Sequence, residues 1–215
     1  MGDRFDRLGG RHANVEALLR RPGIGHNNGP IFDMSWEAWV WRRAAAKAWK
    51  TPSPEIAKMR VRRAERLGIT YKELTSVLMD SGTNLGVAVL PLSLAARVRR
   101  GSKGEIIVEP RNSVAALVGK FGGRLFLLGD IDAVPALSEA ERADFLALVN
   151  RAFDGKVETV GWGHDGKALR SMLKANAVPH QEAFLVGAGM AHRVLGETAG
   201  LPLVKDIDGW FGTPG

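Results

Sequence analysis

The chain has 215 residues, 45% of them apolar and 25% charged, with a formal net charge of +7, the balance of a globular protein of one large or two small domains. It contains no cysteine, which excludes disulfide staples, thiolate metal sites and a cysteine nucleophile. No run approaches the ~18–20 apolar residues of a membrane helix, and the polar opening MGDRFDRLGGRH is unlike a secretory signal, so the expected compartment is the cytoplasm.

Residues 1–34 read as a flexible arm. One short helix is possible at 14–21, and the run Arg21-Pro22-Gly23-Ile24-Gly25-His26-Asn27-Asn28-Gly29-Pro30 is rich in turn formers. Residues 35–122 read as a basic, mainly helical region. Ser35 caps a helix over 36–50, and Ser53 with Pro54 opens a second that stops at Gly68. Thr70 and Glu73 form a capping box for a third over 71–80. Leu85–Leu90 is a short apolar run, 92–100 suits a helix with a basic end, 105–109 suits a strand, and 112–121 suits a helix. Residues 123–215 read as a small α/β domain. Strands at 125–128, 157–160, 183–186 and 201–204 alternate with helices at 139–153, 166–175 and 190–199, the pattern of a parallel sheet with right-handed crossovers. The expected fold class is therefore α/β: an N-terminal helical segment followed by a small, mostly parallel Rossmann-like sheet with flanking helices.

Charge is uneven. Residues 1–100 hold 18 Lys+Arg against 9 Asp+Glu, whereas residues 101–215 hold 12 against 14. A basic excess confined to one half suggests a polyanionic partner. The helix at 36–50 carries four of the six tryptophans, and Trp39, Arg42 and Arg43 lie near one face, with Lys47 following. Indoles stack on bases and guanidiniums pair with phosphates; equally, the indoles serve as core anchors. Arg60, Arg62, Arg63 and Arg66 follow on the next helix, whose Gly-turn-Thr junction with 71–80 has the outline of a helix-turn-helix and equally that of any helical bundle. The leading expectation is a non-enzymatic bacterial protein that docks on nucleic acid, DNA first, through Trp39, Arg42, Arg43, Lys47, Arg60, Arg62, Arg63 and Arg66. A protein partner or self-association is an alternative use of the same helices, and no membrane partner is expected.

A second constellation lies at strand ends, where open parallel sheets bind ligands. Asp130 and Asp132 follow the strand at 125–128. His164 follows 157–160, and Gly187 and Gly189 follow 183–186. The five histidines, His12, His26, His164, His180 and His192, show no metal-ligand spacing, so no metal site and no catalytic residue is assigned. Gly187-Ala188-Gly189 before a helix can let a phosphate approach backbone amides, but His192 stands where a dinucleotide fingerprint has its third glycine.

The run Phe126-Leu127-Leu128-Gly129-Asp130-Ile131-Asp132, with a later lysine (Lys156, Lys167 or Lys174) and the Gly187-Ala188-Gly189 strand end, resembles the haloacid dehalogenase phosphohydrolase superfamily over about 125–205. The resemblance implies Asp130 as nucleophile, Asp132 as acid/base and a magnesium ion; outside that reading no cofactor is expected. The pattern departs at three points. Val134-Pro135 stands where Ser or Thr is expected, no late acidic pair follows Val186, and the spacing is short by about one strand–helix unit. An active or degenerate phosphohydrolase, or a nucleotide-binding relative, is thus the competing expectation. Separately, Ile24–Pro30 and the stretch to about residue 85 resemble an uncharacterised alphaproteobacterial and phage-associated family, which implies a bacterial setting and no activity.

Overall fold

The computed structural model describes residues 52–129 and 137–212. The expected arm at 1–34, the helix at 36–50 with Trp39, Arg42, Arg43 and Lys47, and the pair Asp130 and Asp132 lie outside the described residues.

Among the described residues the order starts with two helices, α1 (Pro54–Leu67) and α2 (Tyr71–Ser81). Ser53 Oγ accepts from Ile56 N, and Thr70 with Glu73 forms a complete capping box. Gly68 ends α1 at φ +67°, in the left-handed region that glycine enters freely. Of the apolar residues Ile56, Met59, Ala64 and Leu67, only Ala64 and Leu67 are buried, so α1 meets the core through its last turns. Next come β1 (Val87–Pro91), the single turn α3 (Leu92–Ala95), the strands β2 (Ala96–Arg100) and β3 (Ile106–Pro110), and α4 (Asn112–Lys120). The rest alternates: β4 (Arg124–Gly129), α5 (Glu139–Ala152), β5 (Thr159–Trp162), α6 (Gly166–Ala175), β6 (Ala183–Gly187), α7 (Gly189–Thr198) and β7 (Val204–Asp206).

Five strands form one parallel sheet in the order β5-β4-β1-β6-β7. Its central strand is β1, and all five of its residues are buried. A continuous apolar run, rather than alternation, is what a strand covered on both faces requires. Ala88 and Leu90 point into the larger core with Leu125, Leu127, Phe184 and Val186, beneath α1, α2, α4 and α5. Val87 and Val89 point into the other with Phe126, Leu128 and Leu185, beneath α6 and α7. The result is three layers, and the expected α/β class with a mainly parallel, helix-flanked sheet holds. Each fully buried Leu or Val contributes about 1.5–3 kcal/mol over its exposed state.

The helix expected at 92–100 is instead one turn and a strand. Ala96 is extended (φ −145°, ψ 161°), and β2 pairs antiparallel with β3 as a separate two-stranded ribbon. Arg97 and Arg99 face water while Val98 packs on the core, a period of two that excludes a helical face. Arg100 ties the ribbon to α5 through Glu141 at 2.9 Å. That bond, with those from Ser138, holds the Glu141 carboxyl down at about 2.

No helix among the described residues is long and apolar enough to cross a membrane.

Candidate functional site at the carboxyl edge of the sheet

After β1 the chain moves outward to β4 and β5, then returns to the other side of β1 for β6 and β7. The connections therefore diverge at the carboxyl ends of β1 and β6, the topological switch point where open α/β sheets leave a crevice. Pro91-Leu92-Ser93 leaves β1 there, and Gly187-Ala188-Gly189 leaves β6.

The β6 turn is built by close approach. A Cβ on Gly187 would lie 2.5 Å from His192 Cβ, so glycine lets the first turn of α7 fold back on the strand end. His192 Nδ1 sits 2.6 Å from Ala188 O and 3.1 Å from Ala188 N, which ties the ring to the turn. Gly189 adopts φ +68° with open space where a side chain would stand. No side chain caps α7, so its first N–H groups present the positive end of the helix dipole. From the turn a cavity of about 350 Å³ runs along α7 and β7, bounded by Gly187, Gly189, Arg193, Glu197, the stretch 201–204, Lys205 and Asp206. Lys205 is engaged, since its Nζ donates to both carboxylate oxygens of Glu73. Arg193 is exposed and has no acceptor among the described residues.

His164 lies elsewhere. It is exposed after β5, the edge strand, three strand spacings from β6, or about 14 Å. Its neighbour Asp165 caps α6 by accepting from Ala168 N at 2.8 Å, and that backbone bond holds the carboxyl below its usual range. The structure therefore brings Gly187 and Gly189 together and leaves His164 apart. Reading the sequence missed the β1 end, Pro91-Leu92-Ser93, although the uninterrupted run Val87–Leu90 carried the signal of a central strand.

Magnesium takes oxygen donors in near-octahedral geometry, usually anchored by one or two carboxylates. The ends of β1 and β6 offer Pro, Leu, Ser, Gly and Ala. No cluster of three or more His, Asp or Glu suited to a metal occurs among the described residues. The donors described at the switch point do not fit the ion.

The DNA-docking expectation is corrected by the arginines. Arg63 donates Nε and Nη2 to Leu85 O at 3.0 and 2.7 Å, so its guanidinium supports the fold. Arg99 pairs with Glu109 and Arg100 with Glu141. Arg60 is half-buried and Arg62 is exposed two residues on, over half a helical turn away. Arg66 faces the amino edge of the sheet. The helix expected to read bases has its polar groups occupied: Glu73 binds Lys205, and Thr75 Oγ1 donates to Tyr71 O at 2.8 Å. Of the four expected docking arginines that are described, Arg63 is spent on a carbonyl and Arg60 and Arg62 lie on different sides of α1.

No protein-family model matches the chain, and no curated protein matches it. Solved structures with a similar fold include 3-deoxy-D-manno-octulosonate 8-phosphate phosphatase from Yersinia pestis, at 11% identity over 62% of this chain and 67% of that one, TM-score 0.36. A protein from Streptomyces avermitilis described as a HAD family hydrolase shows 16% identity over 59% and 86% of the two chains, TM-score 0.33. An uncharacterized protein from Listeria monocytogenes serotype 4b shows 11% identity over 48% and 67%, TM-score 0.35.

Proposed function

We propose that the chain is a degenerate relative of the haloacid dehalogenase phosphohydrolases that binds a phosphate-bearing small molecule at the carboxyl edge and does not hydrolyse it. The observation that carries this reading is the residue content of the two strand ends at the switch point, Pro91-Leu92-Ser93 and Gly187-Ala188-Gly189. Covalent phosphoryl transfer needs an activated nucleophile and a group to move its proton. Proline supplies neither. Ser93 would need an adjacent base, and no hydrogen bond joins its hydroxyl to a histidine or carboxylate among the described residues. What remains suits binding. The open glycine turn starts a ten-residue helix with free N–H groups, and Arg193 borders the same cavity. Helix start and guanidinium together favour a phosphate without need of a metal.

The test is Ala188→Asp. Aspartate is a favoured N-cap and alanine a poor one, so the variant should be about 0.5–2 kcal/mol more stable. Its carboxylate would occupy and repel the anion position, so calorimetric binding of a sugar phosphate should be lost. Magnesium-dependent phosphate release that disappears in Asp130→Asn would overturn the reading in favour of an active enzyme.

A further inference from the structure

The cavity that runs along α7 also follows the free edge of the sheet. β7 is the last strand on its side among the described residues, and its pairing with β6 fixes which backbone groups point outward. Leu203 O accepts from Leu185 N at 3.1 Å, and Ile207 N donates to Gly187 O at 2.8 Å. Val204 is level with Leu185, and Asp206 with Gly187. In a strand the N–H and C=O of one residue point the same way, and those of the next point oppositely. Residues 203, 205 and 207 therefore bond β6, while Val204 and Asp206 turn their backbone away from it. Val204 O and Asp206 N have no partner among the described residues. They set an acceptor beside a donor, on residues that both line the cavity.

The facing wall is α7. A Cβ on Gly196 would collide with Val204 Cγ2, so glycine lets the helix lie against β7 and brings Arg193 and Glu197 to the same cavity. These two stand one helical turn apart, the spacing at which opposite charges pair, yet no ion pair joins them among the described residues. The other charged groups of the lining are spent. Lys205 is held by Glu73, and Asp206 Oδ1 accepts from Asp208 N at 3.0 Å. Cationic character is thus confined to the part near the glycine turn, at Arg193. Farther along α7 and β7 the cavity offers the Glu197 carboxylate, the apolar stretch 201–203 and the backbone pair of Val204 and Asp206. A carboxylate there repels a ligand that is anionic throughout and accepts from hydroxyl or amino groups.

We infer that the ligand of this site is a nucleoside 5′-monophosphate. Its phosphate lies at the glycine turn and Arg193, its ribose hydroxyls donate to Glu197, and its base pairs with Val204 O and Asp206 N. The inference rests on the phosphate site proposed above and adds the remainder of the molecule. A nucleobase carries a donor beside an acceptor on its Watson–Crick edge, the pattern that proteins read on unstacked bases, and an open strand edge presents the complement. A plain sugar phosphate has no such edge. A base paired there lies one strand spacing beyond β7 and two beyond β6, about 10 Å, a separation that a nucleotide covers from phosphorus to the far side of its base. At about 350 Å³ the cavity is at the small end of small-molecule sites, which suits a mononucleotide and not a polymer.

The experiment is calorimetric titration of the full chain with AMP, CMP, GMP and UMP at fixed ionic strength, with ribose 5-phosphate as the base-free probe. At least one nucleotide should bind about tenfold or more tightly than ribose 5-phosphate, the increment of one or two hydrogen bonds. Asp206→Pro removes the outward N–H, which an edge strand tolerates, and Asp206→Ala keeps it. The preferred nucleotide should lose its advantage over ribose 5-phosphate in the proline variant and keep it in the alanine variant. Amide spectra of the wild type, which need no variant to fold, should show the Asp206 N–H moving downfield with that nucleotide and not with ribose 5-phosphate. Three results would overturn this inference and leave the phosphate reading standing: ribose 5-phosphate binding as tightly as every nucleotide, an advantage that survives Asp206→Pro, or an Asp206 N–H indifferent to the base. Failure of every phosphate ester to bind would overturn both.

Discussion

Two residue-scale contacts fasten the paired helices to the sheet. At Gly68, Phe211 N donates to the carbonyl at 2.9 Å, and Trp210 Nε1 donates to Leu67 O at 2.9 Å. A Cβ on Gly68 would stand 2.6 Å from Phe211 and 2.8 Å from Trp210, in a backbone conformation that already disfavours alanine. Gly68→Ala should therefore cost roughly 2–4 kcal/mol in urea unfolding, from left-handed strain and overpacking together. The second contact is Glu73 with Lys205, at 2.8 Å and largely shielded from water. Burial alone would raise the Glu73 carboxyl, but the bonds from Lys205 and Thr70 outweigh it and the net shift is downward. A lowered carboxyl pKa contributes stability above its unfolded value and loses it as pH falls through the folded value. Glu73→Gln should thus be about 1–2 kcal/mol less stable than wild type at pH 7. The gap should close as pH drops below the ordinary carboxylate range; a gap constant from pH 7 to pH 3 would show that the pair contributes nothing through its charge.

At the element scale, β1 and the ribbon separate what the sequence states from what folding adds. Helices with paired signals were legible: Ser53-Pro54 to Gly68, Thr70 with Glu73, Ser138 with Glu141, and Asp165 before 166–175 all start or stop as their caps dictate. Short elements without caps were not. Val87–Pro91 is apolar throughout, a pattern shared by buried strands and buried helix pieces; only its neighbours β4 and β6 make it central. Ala96–Arg100 carries three arginines that read as a basic helix end, and its partner strand is what settles it as extended. The two strands predict different sensitivities. Val89 is fully buried and Ile107 half-buried on the ribbon. Val89→Asn should cost about 3–5 kcal/mol by burying an unpaired amide, and Ile107→Asn about 1 kcal/mol or less. Equal costs would mean that β1 is not the centre of the sheet.

For the whole molecule, strand order decides where chemistry can occur. The sequence marked Gly187 and Gly189 correctly as a strand end before a helix, but it read 85–90 only as an apolar run and so missed the strand at the centre of the sheet. Periodicity gives elements, whereas order depends on which apolar faces meet: β1 and β4 each bury five residues, and only the pairing places β1 at the centre. Net charge misled for a related reason: arginine counts carry no geometry. Once folded, Arg63 serves a carbonyl, and Arg99, Arg100 and Arg124 serve carboxylates.

Phosphorus-31 spectra of a sugar phosphate incubated with the full chain and magnesium read binding and hydrolysis together. The account predicts a broadened, shifted phosphomonoester line that sharpens in Ala188→Asp, with no inorganic phosphate signal growing over time. A growing phosphate signal that vanishes in Asp130→Asn, or an ester line indifferent to the protein, would contradict it.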